Sequence, residues 1–139
     1  MNLYLQKITP DMWKLMSSTT HKVSFGEDRD PEMDRIDYAL VVNNDKEPCG
    51  YCTIIEIDKN SAYMQHGGAF PSVEKNVYTV KCYFMFINWL KEHYSCISTR
   101  ILNQNIPMIK LAMAAGLRIS GTELNDGDLF LSLLWKKKA

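Results

Sequence analysis

Two sets of side chains in this sequence have types and spacings that could do chemistry. Cys49-Gly50-Tyr51-Cys52 is a C-x-x-C pair, the spacing of redox dithiols and of half a zinc site. Redox use asks for the first thiol at a helix N-terminus, where its thiolate is stabilised. Here the pair opens a strand-like run, GYCTIIEI. Zinc asks for a second matching pair, which Cys82 and Cys96 do not supply, and His21, His66 and His93 are scattered. The pair therefore reads as two half-buried structural thiols. The second set is in LNQNIPMIKLAMAAGLRI, Leu102 to Ile119. Asn103 and Asn105 precede a short apolar helix that has Pro107 in its first turn and stops at Gly116. Asparagine there serves as an N-cap, and the same amide could form one wall of a ligand site.

The elements that must hold these residues follow from periodicity. Asn2 to Lys7 alternates apolar and polar residues, as a strand does. Thr9 and Pro10 open a helix carrying Met12, Trp13, Leu15 and Met16. Glu27 to Asp37 holds six acidic and two basic residues and reads as a solvated loop or exposed helix. Its functional alternative is the lip of a cleft. Tyr38 to Val42, Gly50 to Ile57 and Ala62 to Phe70 form a meander closed by the turns NNDKEP and DKNS. Within the third strand, Gly67-Gly68 predicts a bulge or bend. Asn76 to His93 changes to helical period, with Val77, Val80, Phe84 and Ile87 on one stripe and Tyr83, Leu90 and Tyr94 extending it. Cys96 to Leu102 is a strand. Arg118 to Leu124 and Leu129 to Trp135 form a hairpin about NDGD.

The whole is predicted to be α/β (α+β), a mixed, largely antiparallel central sheet flanked by helices, in a single domain over 1–139. The 139 residues are 46% hydrophobic and 23% charged, which suits one core and not disorder. Sixteen basic residues balance sixteen acidic ones, so nothing electrostatic favours nucleic acid. Lys136 to Lys138 reads as a solubilising tail. No apolar run is long and clean enough to span a bilayer, and the start lacks the pattern of a signal peptide. A soluble, cytoplasmic protein without a membrane partner is expected.

This element order, together with the Leu102–Ile119 stretch, resembles the GNAT superfamily of acyl-CoA-dependent N-acetyltransferases. That family carries N-x-x-A-h-x-h-Y-x-x-x-G-F after a strand, and Asn105, Met108, Ile109, Leu111, Ala112, Gly116 and Leu117 fall at those spacings. The resemblance implies acetyl-CoA as cofactor, with its pantetheine arm in a gap between two splayed central strands. Ala69, Phe70, Asn105 and Ile109 would line the arm, and Lys75, Asn76 and Val77 would lie at the pyrophosphate. The partner would be an amine-bearing substrate, and Glu56 or His66 the general base that deprotonates it. Tyr63 falls roughly where some members place a catalytic carboxylate. No metal is implied.

Two positions depart from the family pattern. The pyrophosphate loop [QR]-x-x-G-x-[GA] has as its counterpart PSVEKNVYTV, Pro71 to Val80, without a glycine to let backbone N–H groups approach phosphate. Glu74 stands about where the family has Arg or Gln. Ala112 occupies the position of a Tyr that protonates the leaving thiolate. The C-terminal third also resembles the small GNAT-like proteins of tailed bacteriophages, several of them head-assembly or virion proteins. Two readings follow: an acetyltransferase with a degenerate cofactor loop, or a non-catalytic GNAT-fold protein with a protein partner in phage head assembly, in host cytoplasm or virion. An unrelated α/β domain is the third. Backbone N–H groups of Lys75 to Tyr78 turned into an open pocket would favour the enzyme, and Tyr78 plugging the cleft would favour the scaffold.

Overall fold

The computed structural model describes residues 2–16, 35–45, 47–70 and 79–138. Most of the acidic stretch and the segment from Pro71 to Tyr78, with Lys75, Asn76 and Val77, lie outside them. The elements are β1 (Leu3–Ile8), α1 (residues 10–16), β2 (Tyr38–Asn44), β3 (Glu47–Asp58), β4 (Ser61–Ala69), α2 (Thr79–His93), β5 (Cys96–Leu102), α3 (Ile106–Ala114), β6 (Arg118–Asn125) and β7 (Asp128–Lys136). The strands form one seven-stranded sheet in the order β1-β2-β3-β4-β5-β7-β6. The expected mixed α/β class and the meander are present, and both Tyr38–Val42 and Ala62–Phe70 run as strand, the latter ending at Ala69. By its contacts the chain groups into two compact units, Met1–Ile55 with His66–Phe86, and Glu56–Gln65 with Ile87–Ala139.

In the first unit, β2 is antiparallel to both β1 and β3. Because strands cover both its edges and side chains cover both its faces, β2 can be apolar throughout, and Ala39 to Val42 are wholly buried. Thr9 caps α1 as its sequence indicates, its Oγ1 accepting from the Met12 N–H at 3.3 Å. That helix brings Trp13 onto β3, with its ring 4.9 Å from Tyr51, and Tyr51 meets Phe70 edge-on at 5.5 Å. On the strand's opposite side, a Cβ at Gly50 would come within 3.2 Å of the Cys82 sulfur, so glycine there lets the first turn of α2 pack close. His66 donates its N–H to the Thr53 hydroxyl at 3.1 Å, a side chain standing in for a main-chain acceptor.

In the second unit β4 and β5 run parallel, while β7 is antiparallel to both β5 and β6. Register sets two faces. Ala62, Met64, Ile97, Ile101 and Leu133 share one, and all are buried. Trp135 lies on the same face, beneath the Lys91 ammonium of α2 at 5.2 Å. Lys91 also donates to the Ala115 carbonyl at 2.8 Å, placing a cation at the C-terminus of α3. Gly116 ends that helix at φ +104°, a conformation that side-chain-bearing residues rarely adopt. The opposite face carries Tyr63, Ser98, Arg100, Phe130, Ser132 and Leu134, all half-buried.

Candidate active site

The parallel β4–β5 ladder is short. It holds four residue pairs, Ser61↔Cys96 to Met64↔Thr99. At its end the Thr99 hydroxyl donates to the Met64 carbonyl at 3.1 Å, engaging the last strand acceptor with a side chain. β5 then runs on from Arg100 to Leu102, still paired with β7. The ladder to β4 has stopped, so among the described residues these three present a strand edge on the β4 side.

That edge leads directly into Asn105. The Asn105 N–H donates to the Leu102 carbonyl at 2.9 Å, fixing the turn. Its side-chain Oδ1 accepts from the Met108 N–H at 3.4 Å, a long cap. The residue is exposed, and its Nδ2 donors have no partner among the described residues. Among the described residues Asn105 is thus both a cap and an open amide at the end of a strand edge without a partner. Ile109 is buried, so it anchors α3 to the sheet and leaves little surface for a ligand.

The other expected residues are differently engaged. Ala69 ends β4, half-buried. Phe70 packs its ring into the Trp13–Tyr51 cluster and donates its N–H to Cys49 at 3.0 Å, leaving its carbonyl as the group it can offer. Glu56 accepts a 2.7 Å hydrogen bond from the Tyr94 hydroxyl, next to the start of β5 and at the opposite end of that strand from Asn105. His66 is held by its backbone to Thr53 in the first unit. Structure therefore brings Asn105 to the β5 edge, leaves Glu56 at the strand's other end, and assigns Phe70 mainly to the core.

The thiols of C-x-x-C are more buried than the expected half-exposure. Cys49 and Cys52 both lie inside β3. Burial pushes the Cys52 thiol up to about 12 and Cys82 up to about 11, so neither is a thiolate near neutral pH. Among the described residues no group of three or more His, Cys, Asp or Glu could hold a metal, and no helix is long and apolar enough to cross a membrane.

One group escaped the sequence reading. Arg100, the first β5 residue beyond the ladder, stacks its guanidinium on Phe130 at 4.4 Å and pairs with Glu123 at 3.2 Å. The signal available was the alternation Cys96-Ile97-Ser98-Thr99-Arg100-Ile101, which places Ser98 and Arg100 together on a face too polar to be fully covered.

A ribosomal-protein-S18-alanine N-acetyltransferase from Escherichia coli superposes on 99% of this chain and 96% of its own, with TM-score 0.81 at 7% identity. The fold is that of the GNAT acetyltransferases. A GNAT-family acetyltransferase from Bacillus cereus matches over 100% of both chains at TM-score 0.74 and 17% identity. A spermidine/spermine N-acetyltransferase from Vibrio cholerae matches over 98% of this chain and 95% of its own, at TM-score 0.74 and 12% identity. No protein-family model and no curated protein sequence matches the chain. At such identities the GNAT likeness is one of fold, and the chemistry must be argued from the residues.

Proposed function

We propose that this protein is an acyl-CoA-dependent N-acetyltransferase that moves an acetyl group from acetyl-CoA to an amine. The observation that carries the proposal is the early end of the β4–β5 ladder at Met64↔Thr99, which leaves the Arg100–Leu102 edge beside the open amide of Asn105. A pantetheine arm carries amide N–H and C=O groups, and an unpaired strand edge followed by a side-chain amide offers matching partners. Bound acetyl-CoA would supply an acyl group already activated as a thioester. Ala69, the Phe70 carbonyl and Lys75 to Val77 complete the proposed cofactor set, Lys75 offering charge where the loop has no glycine. Deprotonation of the amine falls to Glu56 or His66, and with Ala112 in the family's Tyr position the thiolate takes its proton from another donor, such as water. The acceptor is an amine, and the protein acts in the cytoplasm.

Acetyl-CoA titration by calorimetry at moderate salt tests the proposal. Micromolar-range binding is expected, with Asn105→Ala weakening it at least tenfold while costing no more than about 1 kcal/mol of stability, since the cap is long. Absence of heat at millimolar ligand with the protein folded would refute it. That result would favour a non-catalytic scaffold, for which the engaged Phe70 and the Ala112 substitution speak, including the phage head-assembly or virion role.

A further inference from the structure

β6 ends the sheet, and its outer edge meets no strand among the described residues. All eight of its residues, Arg118–Asn125, are exposed. β1, at the sheet's other end, is shorter, half covered and carries Lys7. β6 has neither lysine nor proline, the residues that blunt an edge. Which of its main-chain groups face outward follows from β7. The Leu129 carbonyl accepts from the Asn103 N–H at 2.8 Å, so Leu129 turns its backbone groups toward the β5 side. Leu124, its partner in the register, is therefore not bonded to β7, and by alternation neither is Thr122 opposite Leu131. Thr122 and Leu124 turn their N–H and C=O groups to the outer edge. Their side chains share the face of the buried Leu133, as do those of Ile119 and Leu129. Leu124 is 72% exposed, Ile119 48% and Leu129 38%, so an apolar row runs beside the open edge. Charge is divided along the hairpin. Exposed Arg118, Lys136 and Lys137 stand at one end, and exposed Asp126 and Asp128 at the turn.

We propose that a second copy of this chain docks on this edge, the two β6 strands pairing antiparallel about a two-fold axis at Thr122. The edge is complementary to itself. Antiparallel pairing sets the basic start of each β6 against the acidic turn of the other, whereas parallel pairing would set like charge against like. With Thr122 on the axis, Arg118 of each copy faces the turn at Asp126 of the other, and the outward groups of Thr122 and Leu124 find partners. A two-fold axis perpendicular to the sheet keeps each face on its own side, so the Ile119 and Leu124 side chains of both copies join in one row and leave water. The net charge of +0 puts no long-range repulsion between copies. The bulge between Ile119 and Gly121 bends the start of the strand and confines main-chain pairing to the half nearer the turn. Half a strand with two apolar side chains per copy falls below the roughly 800 Å² per partner of a standard interface, so the dimer is reversible and no tighter than micromolar. Each copy uses its β6 edge once, and the assembly closes at two. The inference is independent of the acetyl-transfer reading.

Sedimentation velocity on the full chain, from low to hundreds of micromolar, tests it. A reversible monomer–dimer equilibrium is expected. Thr122→Pro removes an outward N–H that the hairpin does not use, at a kind of position where edge strands tolerate proline. It should weaken the dimer at least tenfold and leave far-UV circular dichroism unchanged. Leu124→Glu charges the apolar row at an exposed position, should weaken the dimer as much, and guards against misfolding of the Pro variant. Asp126→Lys should weaken it severalfold, and adding Arg118→Glu should restore it, which only facing ends of opposite charge would give. A monomer at hundreds of micromolar, a dimer that survives Thr122→Pro and Leu124→Glu, or species that grow past the dimer would each overturn the proposal.

Discussion

Replacing Lys91 by Met should destabilise the protein through one lost ammonium. In the native structure that ammonium donates to the Ala115 carbonyl at 2.8 Å and lies 5.2 Å from the Trp135 ring centroid. A charged hydrogen bond contributes about 1.5–3 kcal/mol, and its loss leaves a carbonyl of a buried residue unsatisfied. A cation at a helix C-terminus adds about 0.3–1 kcal/mol, and one above an aromatic ring about 0.5–1 kcal/mol. These contributions share one charge and do not add, and partial exposure screens them, so about 2 kcal/mol is the expected loss. Met keeps the aliphatic cover over Trp135, which isolates the charge. For a chain of 139 residues this corresponds to a fall in Tm of about 7 °C. Urea unfolding should show a lower midpoint with an unchanged slope. Lys91→Arg, with the cation kept, should lose less than half as much. A loss below about 0.5 kcal/mol for Lys91→Met would show that the carbonyl is satisfied by water and that α3 does not depend on α2 for its C-terminal cap.

Three further outcomes are expected. Gly127→Val should cost about 1–2 kcal/mol in urea melts, because φ is +83° and nothing lies within 4 Å of the added Cβ, which makes the penalty a backbone one; an unchanged midpoint would contradict it. Cys52 and Cys82 keep their protons up to about 12 and about 11, whereas an unfolded chain releases them near 8.5, so stability should fall as pH rises through that window; Cys52→Ala should flatten the decline, and an identical slope in the variant would count against burial as its cause. If acetyl transfer is found, either Glu56→Gln or His66→Gln should lower kcat/KM by about 10²–10⁴ and remove the acidic limb of the pH profile; a limb that persists in both variants would exclude both as the base.

Most of the architecture is written locally. Apolar runs, Thr9 with Pro10, and Asn105 with Pro107 and Gly116 each announce an element through its own residues, and each element is where those residues place it. Asp126 and Gly127 adopt φ 51° and 83°, the tight turn that NDGD implies. What the sequence could not show depends on pairing. The polar alternation of β5 says that one face is not fully buried, yet only the register sets Tyr63 opposite Ser98 and brings Arg100 onto Phe130. Glu56 looked like a free carboxylate because its partner, Tyr94, lies 38 positions away. Phe70 reads as a cleft residue until Tyr51 and Trp13 take its ring. Cys49 and Cys52 look half-exposed by alternation, but a strand covered on both sides buries odd and even positions alike.

The strand order β5-β7-β6 also sets when the second unit can form. β7 is the partner of β5 on one edge and of β6 on the other, so β6, though made earlier, has no place in the sheet until β7 arrives. During synthesis Cys96–Leu102 must remain without its antiparallel partner while α3 and β6 are made. That closure is non-local and therefore slow. Any lesion that delays or removes Asp128–Lys136 leaves β6 without a strand partner and β5 paired only with β4, a species open to aggregation and to proteases.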